Sequence, residues 1–375
     1  MRGHCRTGCG QWRCPKGCAP NADFAFFLCR PCAILRATNH PFAPTSWISM
    51  TLPSSSAKVA VSIVSYGTAD LIAEALPALL AELSGFAAWD VAIVDNASPD
   101  NDADRMEAHL AKIDDPRVHL VRSPVNGGFS AGNNVAFKAF KTLDWTPDCV
   151  LLLNPDAEIR PGAIHEMVRV MMSAPRIGVV GAVLENEDGS TWTAAFNFPS
   201  LMGEFVRGVG LGAIMRRWPV MAVQADGATA PVKVDWVSGA AMLIRQEVID
   251  DIGGMDEGYF LYFEEIDYML QAARAGWETW HAPAAKVLHV AGASTGIVGG
   301  LPKAGRMPAY WFQSWRRYFE KNHGSVYAVG SALVKLKGLG LGAVLRRVRG
   351  RPGRMPPGFV RDFTRRCLLG VDKAR

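Results

Sequence analysis

The sequence predicts an α/β protein built on a mostly parallel sheet with helices on both faces. Three observations carry this expectation. Short β-branched and apolar runs alternate with stretches of helical periodicity. Each run stops at a turn rich in Asp, Asn, Ser or Gly. Finally, 49% of the 375 residues are hydrophobic, enough to bury a sizeable core.

The elements follow in order. Val59 to Ser65 is a β-branched run that stops at Tyr66-Gly67 and reads as a buried strand. Over 70–83, Leu71, Ala75, Leu76, Leu79, Leu80 and Leu83 recur at helical spacing, and Asp90 to Val94 forms a second buried strand ending at Asp95. Arg105 to Ile113 then reads as a helix, Val118 to Val121 as a short strand, Ala131 to Leu143 as a helix and Cys149 to Leu153 as a fourth strand. A second block, from Ile177 to about His289, carries strands at Gly178 to Leu184 and Val234 to Ile244, a variable insert near 195–230 and a helix over 260–275. Ligands of such a sheet gather beyond the carboxyl ends of its strands, where the polar motifs of this chain begin.

Charge is unevenly spread. Residues 1–57 carry six Lys/Arg against one acid and residues 303–375 seventeen against three, so residues 58–302 hold seventeen basic and thirty-one acidic residues, a net of −14. An acidic body binds an anionic diphosphate only if a divalent cation or backbone amides offset the repulsion. The basic ends suit an anionic lipid surface or nucleic acid, or form a solvated charge run. Six of the eight cysteines fall in the first 32 residues, but only Cys29 and Cys32 show the C-x-x-C spacing of a zinc site. Residues 1–57 are therefore expected to be a Cys-rich basic extension without a stable fold, and Met50, ahead of a Thr-Leu-Pro-Ser-Ser-Ser linker, is the expected natural start.

Five places carry chemistry. Asp95, in Val94-Asp95-Asn96-Ala97-Ser98, ends a strand where a carboxylate can accept hydrogen bonds from a base or ribose, a turn cap being the plainer reading. Asn126-Gly127-Gly128, continuing to Asn133-Asn134, is a Gly-rich loop opening onto a helix, either an anion cradle or a simple β-α turn. Asn154-Pro155-Asp156 stops an apolar strand and delivers Asp156 where a metal bridging two phosphates would sit. Glu264, Glu265 and Asp267 follow an aromatic-rich run from Asp256, and adjacent acids flanked by buried rings raise one pKa toward that of a general base. His289 ends an apolar run and, paired with Asp156, makes an N/O metal site.

Taken in order, Ser62-Ile63-Val64-Ser65-Tyr66, Val94 to Ser98, Asn126-Gly127-Gly128, Asn154-Pro155-Asp156-Ala157, Trp236-Val237-Ser238-Gly239-Ala240, Gly253 through Asp267 and His289 to Ser294 resemble glycosyltransferase family 2. The likeness is to its bacterial rhamnosyltransferase and galactofuranosyltransferase-like members, over roughly residues 58–323. It implies a GT-A fold, inversion at the anomeric carbon, Mg²⁺ or Mn²⁺, a nucleoside-diphosphate sugar as donor, and a glycan or polyprenyl-linked acceptor. By that similarity Asp95 contacts the nucleobase or ribose, Asp156 holds the metal in place of the DXD element, and His289 is a further ligand. Glu265 sits at the base position, beside Glu264 and Asp267. Val64, Tyr66, Asn126, Gly127, Gly128, Asn133 and Asn154 fall on the donor side, and Trp236, Ser238, Gly239 and Asp256 on the acceptor side. Asn154 stands at the first DXD position, where the family usually has Asp.

Expected around this catalytic domain, residues 58–300, is a helical basic region over 301–375. Within it Ala309 to Asn322 forms an aromatic-basic helix that either packs on the catalytic domain or lies at a lipid interface. Followed by Arg346, Arg347, Arg349 and Arg351, it favours peripheral contact with the inner face of the plasma membrane, whereas residues 326–345 are too interrupted by Lys335 and Lys337 for a span. No cleavable signal is evident, so the cytoplasm is the expected compartment, with no nucleic-acid partner. A nucleotidyltransferase would need a basic signature loop, and Ser65 to Ala69 contains no Lys or Arg. A zinc or nucleic-acid module built from the ends is the rival from another class.

Overall fold

The computed structural model describes residues 56–192, 194–210, 229–289, 297–298, 301–302, 305–350 and 355–371. Residues 1–55 with the Cys29–Cys32 pair, most of the expected insert (211–228), the motif after His289 (290–296) and Arg351 lie outside the described residues. The first elements are β1 (Lys58–Ser65), α1 (Ala69–Leu83), β2 (Ala88–Asp95), α2 (Asp102–Ile113), β3 (Val118–Arg122), α3 (Gly128–Phe140) and β4 (Cys149–Leu153). Their β-branched cores pair in parallel, in the order β3-β2-β1-β4. β1, β2 and β4 are buried on both faces, as their near-continuous apolar runs require, whereas the edge strand β3 is only partly buried.

Beyond β4 come β5 (Ala157–Ile159), α4 (Ala163–Met172), β6 (Ile177–Glu185), β7 (Thr191–Trp192), β8 (Ala195–Phe196) and α5 (Leu201–Val209). Then follow β9 (Val232–Val234), β10 (Trp236–Val237), β11 (Ala241–Arg245), α6 (Gln246–Ile252), α7 (Glu264–Arg274) and β12 (Glu278–His289). The sheet has ten strands, and its main path runs β3-β2-β1-β4-β11-β6-β12-β5. β11 is antiparallel to β4 and pairs Ala241 with Leu153, so the start of β11 meets the end of β4 at one rim.

The strand expected over Val234 to Ile244 is three pieces instead: a bend at Asp235 separates β9 from β10, which pairs with β8 in a two-stranded sheet of its own, and Ser238-Gly239-Ala240 separates β10 from β11. The helix expected over 260–275 starts only at Glu264, after a loop in which Tyr262 and Phe263 both adopt left-handed backbone angles (φ 72° and 69°). One face of the sheet packs against α1, α2 and α4, the other against α3, α7 and the C-terminal helices.

Those C-terminal helices are α8 (Ala309–His323), α9 (Ser325–Val348) and α10 (Phe359–Phe363). Phe312, Trp315, Tyr318 and Phe319 of α8 are buried, so of the two places open to this helix the chain uses the catalytic domain. Apolar burial of this size outweighs the ordering of the aromatic side chains.

Candidate active site

Topology brings five of the sequence motifs to one rim. Asp95 closes β2, and its carboxylate, almost fully buried, accepts hydrogen bonds from the Ser98 amide at 3.3 and 3.4 Å. Tyr66 stands exposed just past β1. Val64 is turned toward α3, where a Cβ on Gly132 would come within 2.6 Å of it.

Asp156 and His289 meet because β5 pairs antiparallel with the end of β12, placing His289 opposite Ala157. His289 Nε2 lies 3.2 Å from Asp156 Oδ1 and 3.3 Å from Asn154 Nδ2, and both Asp156 and His289 are buried. Among the described residues no group of three His, Cys, Asp or Glu side chains could hold a metal ion. The chain therefore offers one carboxylate, one imidazole and a neighbouring carboxamide, oxygen and nitrogen donors of the kind that would hold Mg²⁺ or Mn²⁺.

The Gly-rich loop, open in sequence to a cradle or a β-α turn, makes a tight turn into α3. Its leading amides are already committed: Gly127 N donates to Asn96 Oδ1 (3.2 Å), Gly128 N to Asn126 Oδ1 (3.1 Å) and Phe129 N to the Phe260 carbonyl (2.9 Å). Asn96 Nδ2 in turn donates to Asn126 Oδ1 and to the Gly128 carbonyl. A Cβ on Gly128 would sit 1.9 Å from the Phe260 oxygen, and its φ is +81°, so only glycine fits. Asn126, Gly127 and Gly128 thus seat the loop that leads into α7. Asn133, expected to touch the donor, is buried and accepts from Ser62 Oγ while donating to the Phe129 carbonyl.

At the start of α7 the acids divide. Glu264 Oε2 and Glu265 Oε2 are buried without a hydrogen-bond partner. Burial pushes the Glu265 carboxyl up to about 7, against the pull of its own and the Ile266 amides. Burial, and then the charge of Glu265, raise Glu264 well above the usual carboxylate range. A Cβ on Gly239 would stand 3.7 Å from Glu265 Cβ and 3.6 Å from the Phe129 ring, so the Ser238-Gly239-Ala240 step packs against the root of the Glu265 side chain. The rings preceding α7 anchor on α8: Tyr262 lies 6.2 Å from Tyr310, and Phe263 lies 5.6 Å from Tyr318 and 6.2 Å from Trp311.

Three expected site residues have partners within the fold. Asp267 is buried and receives Lys321 Nζ at 2.6 Å and Asn322 Nδ2 at 2.7 Å, so its charge serves the α7–α8 seam. Asp256 is held by Arg317 and Lys321; burial opposes its ionisation, but these hydrogen bonds prevail and keep its carboxyl at about 2. Trp236 is buried, stacked on Phe196 at 4.2 Å, with its indole N–H given to the Asn197 carbonyl. Sequence spacing hides Lys321 and Asn322, more than fifty residues from Asp267, and Asn96 is inconspicuous beside Asp95.

Comparisons with known proteins agree with this architecture. An N-acetylglucosaminyl-diphospho-decaprenol L-rhamnosyltransferase of Mycobacterium tuberculosis is 31% identical over 189 residues, 48% of this chain and 61% of that protein. Rhamnosyltransferase WbbL of Escherichia coli is 26% identical over 167 residues, 44% of this chain and 61% of its own length. The chain thus spans less than two thirds of either relative. Among solved structures, the mannosyltransferase PcManGT of Pyrobaculum calidifontis, in complex with GDP-Man and Mn²⁺, superposes with a TM-score of 0.50 at 14% identity, covering 80% of this chain and 77% of that one, a likeness of GT-A fold. The family model described as glycosyltransferase like family 2 matches residues 56–304, most of the described sheet and its rim, and the chain belongs to that family of glycosyltransferases.

Proposed function

We propose that the protein transfers rhamnose, with inversion, from a nucleoside-diphosphate donor to a hydroxyl of a polyprenyl-linked sugar acceptor in the cytoplasm. The observation that carries the reaction type is the half-buried Glu265, whose Oε2 is enclosed without a hydrogen-bond partner and whose carboxyl is pushed up to about 7, together with the Asp156–His289 pair at the strand ends. A carboxylate with that pKa is part ionised at neutral pH and matched to proton removal. The choice of rhamnose and of a lipid-linked acceptor leans on the names of the two relatives.

Glu265 takes the proton of the acceptor hydroxyl as its oxygen bonds to the anomeric carbon and the bond to the diphosphate breaks. Burial and the neighbouring Glu265 both disfavour a second negative charge on Glu264 beside that oxygen. Asp95 receives the nucleoside end, and Tyr66 offers an exposed ring beside it. Asp156 and His289 would hold Mg²⁺ or Mn²⁺, which supplies neutralising charge for the departing diphosphate.

Titration calorimetry of the full chain with nucleoside-diphosphate sugars, each with and without Mn²⁺, tests the donor half. The expected outcome is uptake of a rhamnose donor that Mn²⁺ strengthens at least tenfold and that Asp156→Asn reduces. Equal binding with and without the cation, or none for any donor, would falsify this reading.

A further inference from the structure

Among the described residues, α9 is the one helix long and apolar enough to cross a membrane by length and composition. Its two faces argue for a different use. The inner face is closed against α5: a Cβ on Gly338 would come within 2.4 Å of the Phe205 carbonyl oxygen, one on Gly342 within 2.3 Å of Val209 O, and one on Gly208 within 2.6 Å of Lys335 O. The two backbones therefore touch along a seam with no room for side chains. In that seam Lys335 Nζ meets Glu204 Oε2 at 2.6 Å, both residues being buried, and Trp315 Nε1 donates to the same oxygen at 2.9 Å. Inserting α9 across a bilayer would strip this buried pair apart and leave each charge unpartnered.

The outer face is apolar and uncovered. Val326, Val329, Leu333, Leu341, Val344 and Val348 are exposed and fall at helical spacing on one stripe, with Val326 90%, Val344 60% and Val348 80% accessible. Leu201 and Met202, exposed at the start of α5, widen the patch, the Leu201 amide being bonded to Tyr327 Oη. Lys337 lies on the stripe, Arg347 and Arg349 are exposed at its end, and no acid occurs in the 24 residues of the helix.

We propose that the outward face of α9 is a lipid-binding surface that seats the protein on an anionic bilayer, the helix lying in the membrane plane with its valines and leucines in the headgroup–acyl boundary and its cations among the headgroups. A second copy of the chain fits the face less well, because self-contact would bury Lys337, Arg347 and Arg349 where α9 supplies no acid to meet them. The contact once expected of the α8 aromatics thus belongs to α9. The inference stands apart from the sugar-transfer reading, since no residue of the rim enters it.

Sedimentation of the full chain with phosphatidylcholine vesicles, with and without one third phosphatidylglycerol, tests the proposal. Wild type is expected to bind the anionic vesicles at low salt and to be released at high salt. Val344→Asp, at an exposed position, is expected to weaken binding about tenfold with an unchanged thermal midpoint. Arg347→Gln and Arg349→Gln are each expected to weaken it about fivefold and to flatten the salt dependence. Wild-type indifference to both vesicles, or variants that bind as wild type does, overturns the assignment. So does sedimentation velocity showing that Val344→Asp dissolves a dimer while leaving vesicle binding untouched, which would make the face a contact between copies.

Discussion

Glu265 and Asp267 lie two residues apart on the first turn of α7 and have opposite surroundings. Asp267, with Asp256, is met by Lys321, Arg317 and Asn322 from α8, whereas Glu265 and Glu264 each keep a buried oxygen that no group answers. Burial with a partner fixes a charge and builds a seam. Burial without one leaves a carboxyl at a pKa where it can trade protons. The acid count of a helix start therefore says little; what the neighbouring helix brings to each acid decides its role.

Removing the unanswered acid gives the largest effect. Glu265→Gln is expected to lower turnover about 10²–10⁴-fold, with donor affinity in calorimetry nearly unchanged. Near-normal turnover would erase the distinction between the two acids. Asp267→Asn is expected to reverse the pattern: denaturant unfolding should show a loss of about 2 kcal/mol, and the pH dependence of the surviving activity should keep its shape. A moved pH profile would mean that Asp267 takes part in the proton chemistry.

The smallest effect concerns pH. The folded protein holds the Glu265 proton up to about pH 7, whereas the ordinary value is 4.5. Its stabilising contribution is thus full below about 4.5 and lost as pH rises through about 7. Turnover should climb over that same range as the base ionises. Glu265→Gln, neutral throughout, should grow more stable relative to wild type from pH 5 to 8 by on the order of 1–3 kcal/mol, read from thermal midpoints. A constant difference across that range would show that burial does not strain this carboxyl.

Much of the sheet was legible because apolar periodicity is local. β1, β2, β4 and β6 lie within a residue or two of the runs that predict them. The rim was legible in part, since strand ends announce themselves by Asp, Asn and Gly. Residue types alone suggest pairing His289 with Asp156, but what brings them together is the register of β5 on β12, which neither short run encodes. The Gly-rich loop was open to two readings for a related reason, as two acceptors of its leading amides, Asn96 and Phe260, lie outside the motif. The length of α9 was masked by Lys335, which reads as an interruption until Glu204 is found opposite it.

The paired left-handed residues Tyr262 and Phe263 have a consequence for how the enzyme is assembled. Two such non-glycine angles in a row cost about 1–2 kcal/mol each, and no local sequence preference returns that energy. The rings of Tyr310, Trp311 and Tyr318 act as the latch holding this spring. A chain shortened before Ala309 would keep every rim residue named above, yet it would release the turn that aims Glu265. Under the proposed mechanism the C-terminal segment thus restrains the turn before the base, and a chain ending before Ala309 is expected to lose turnover.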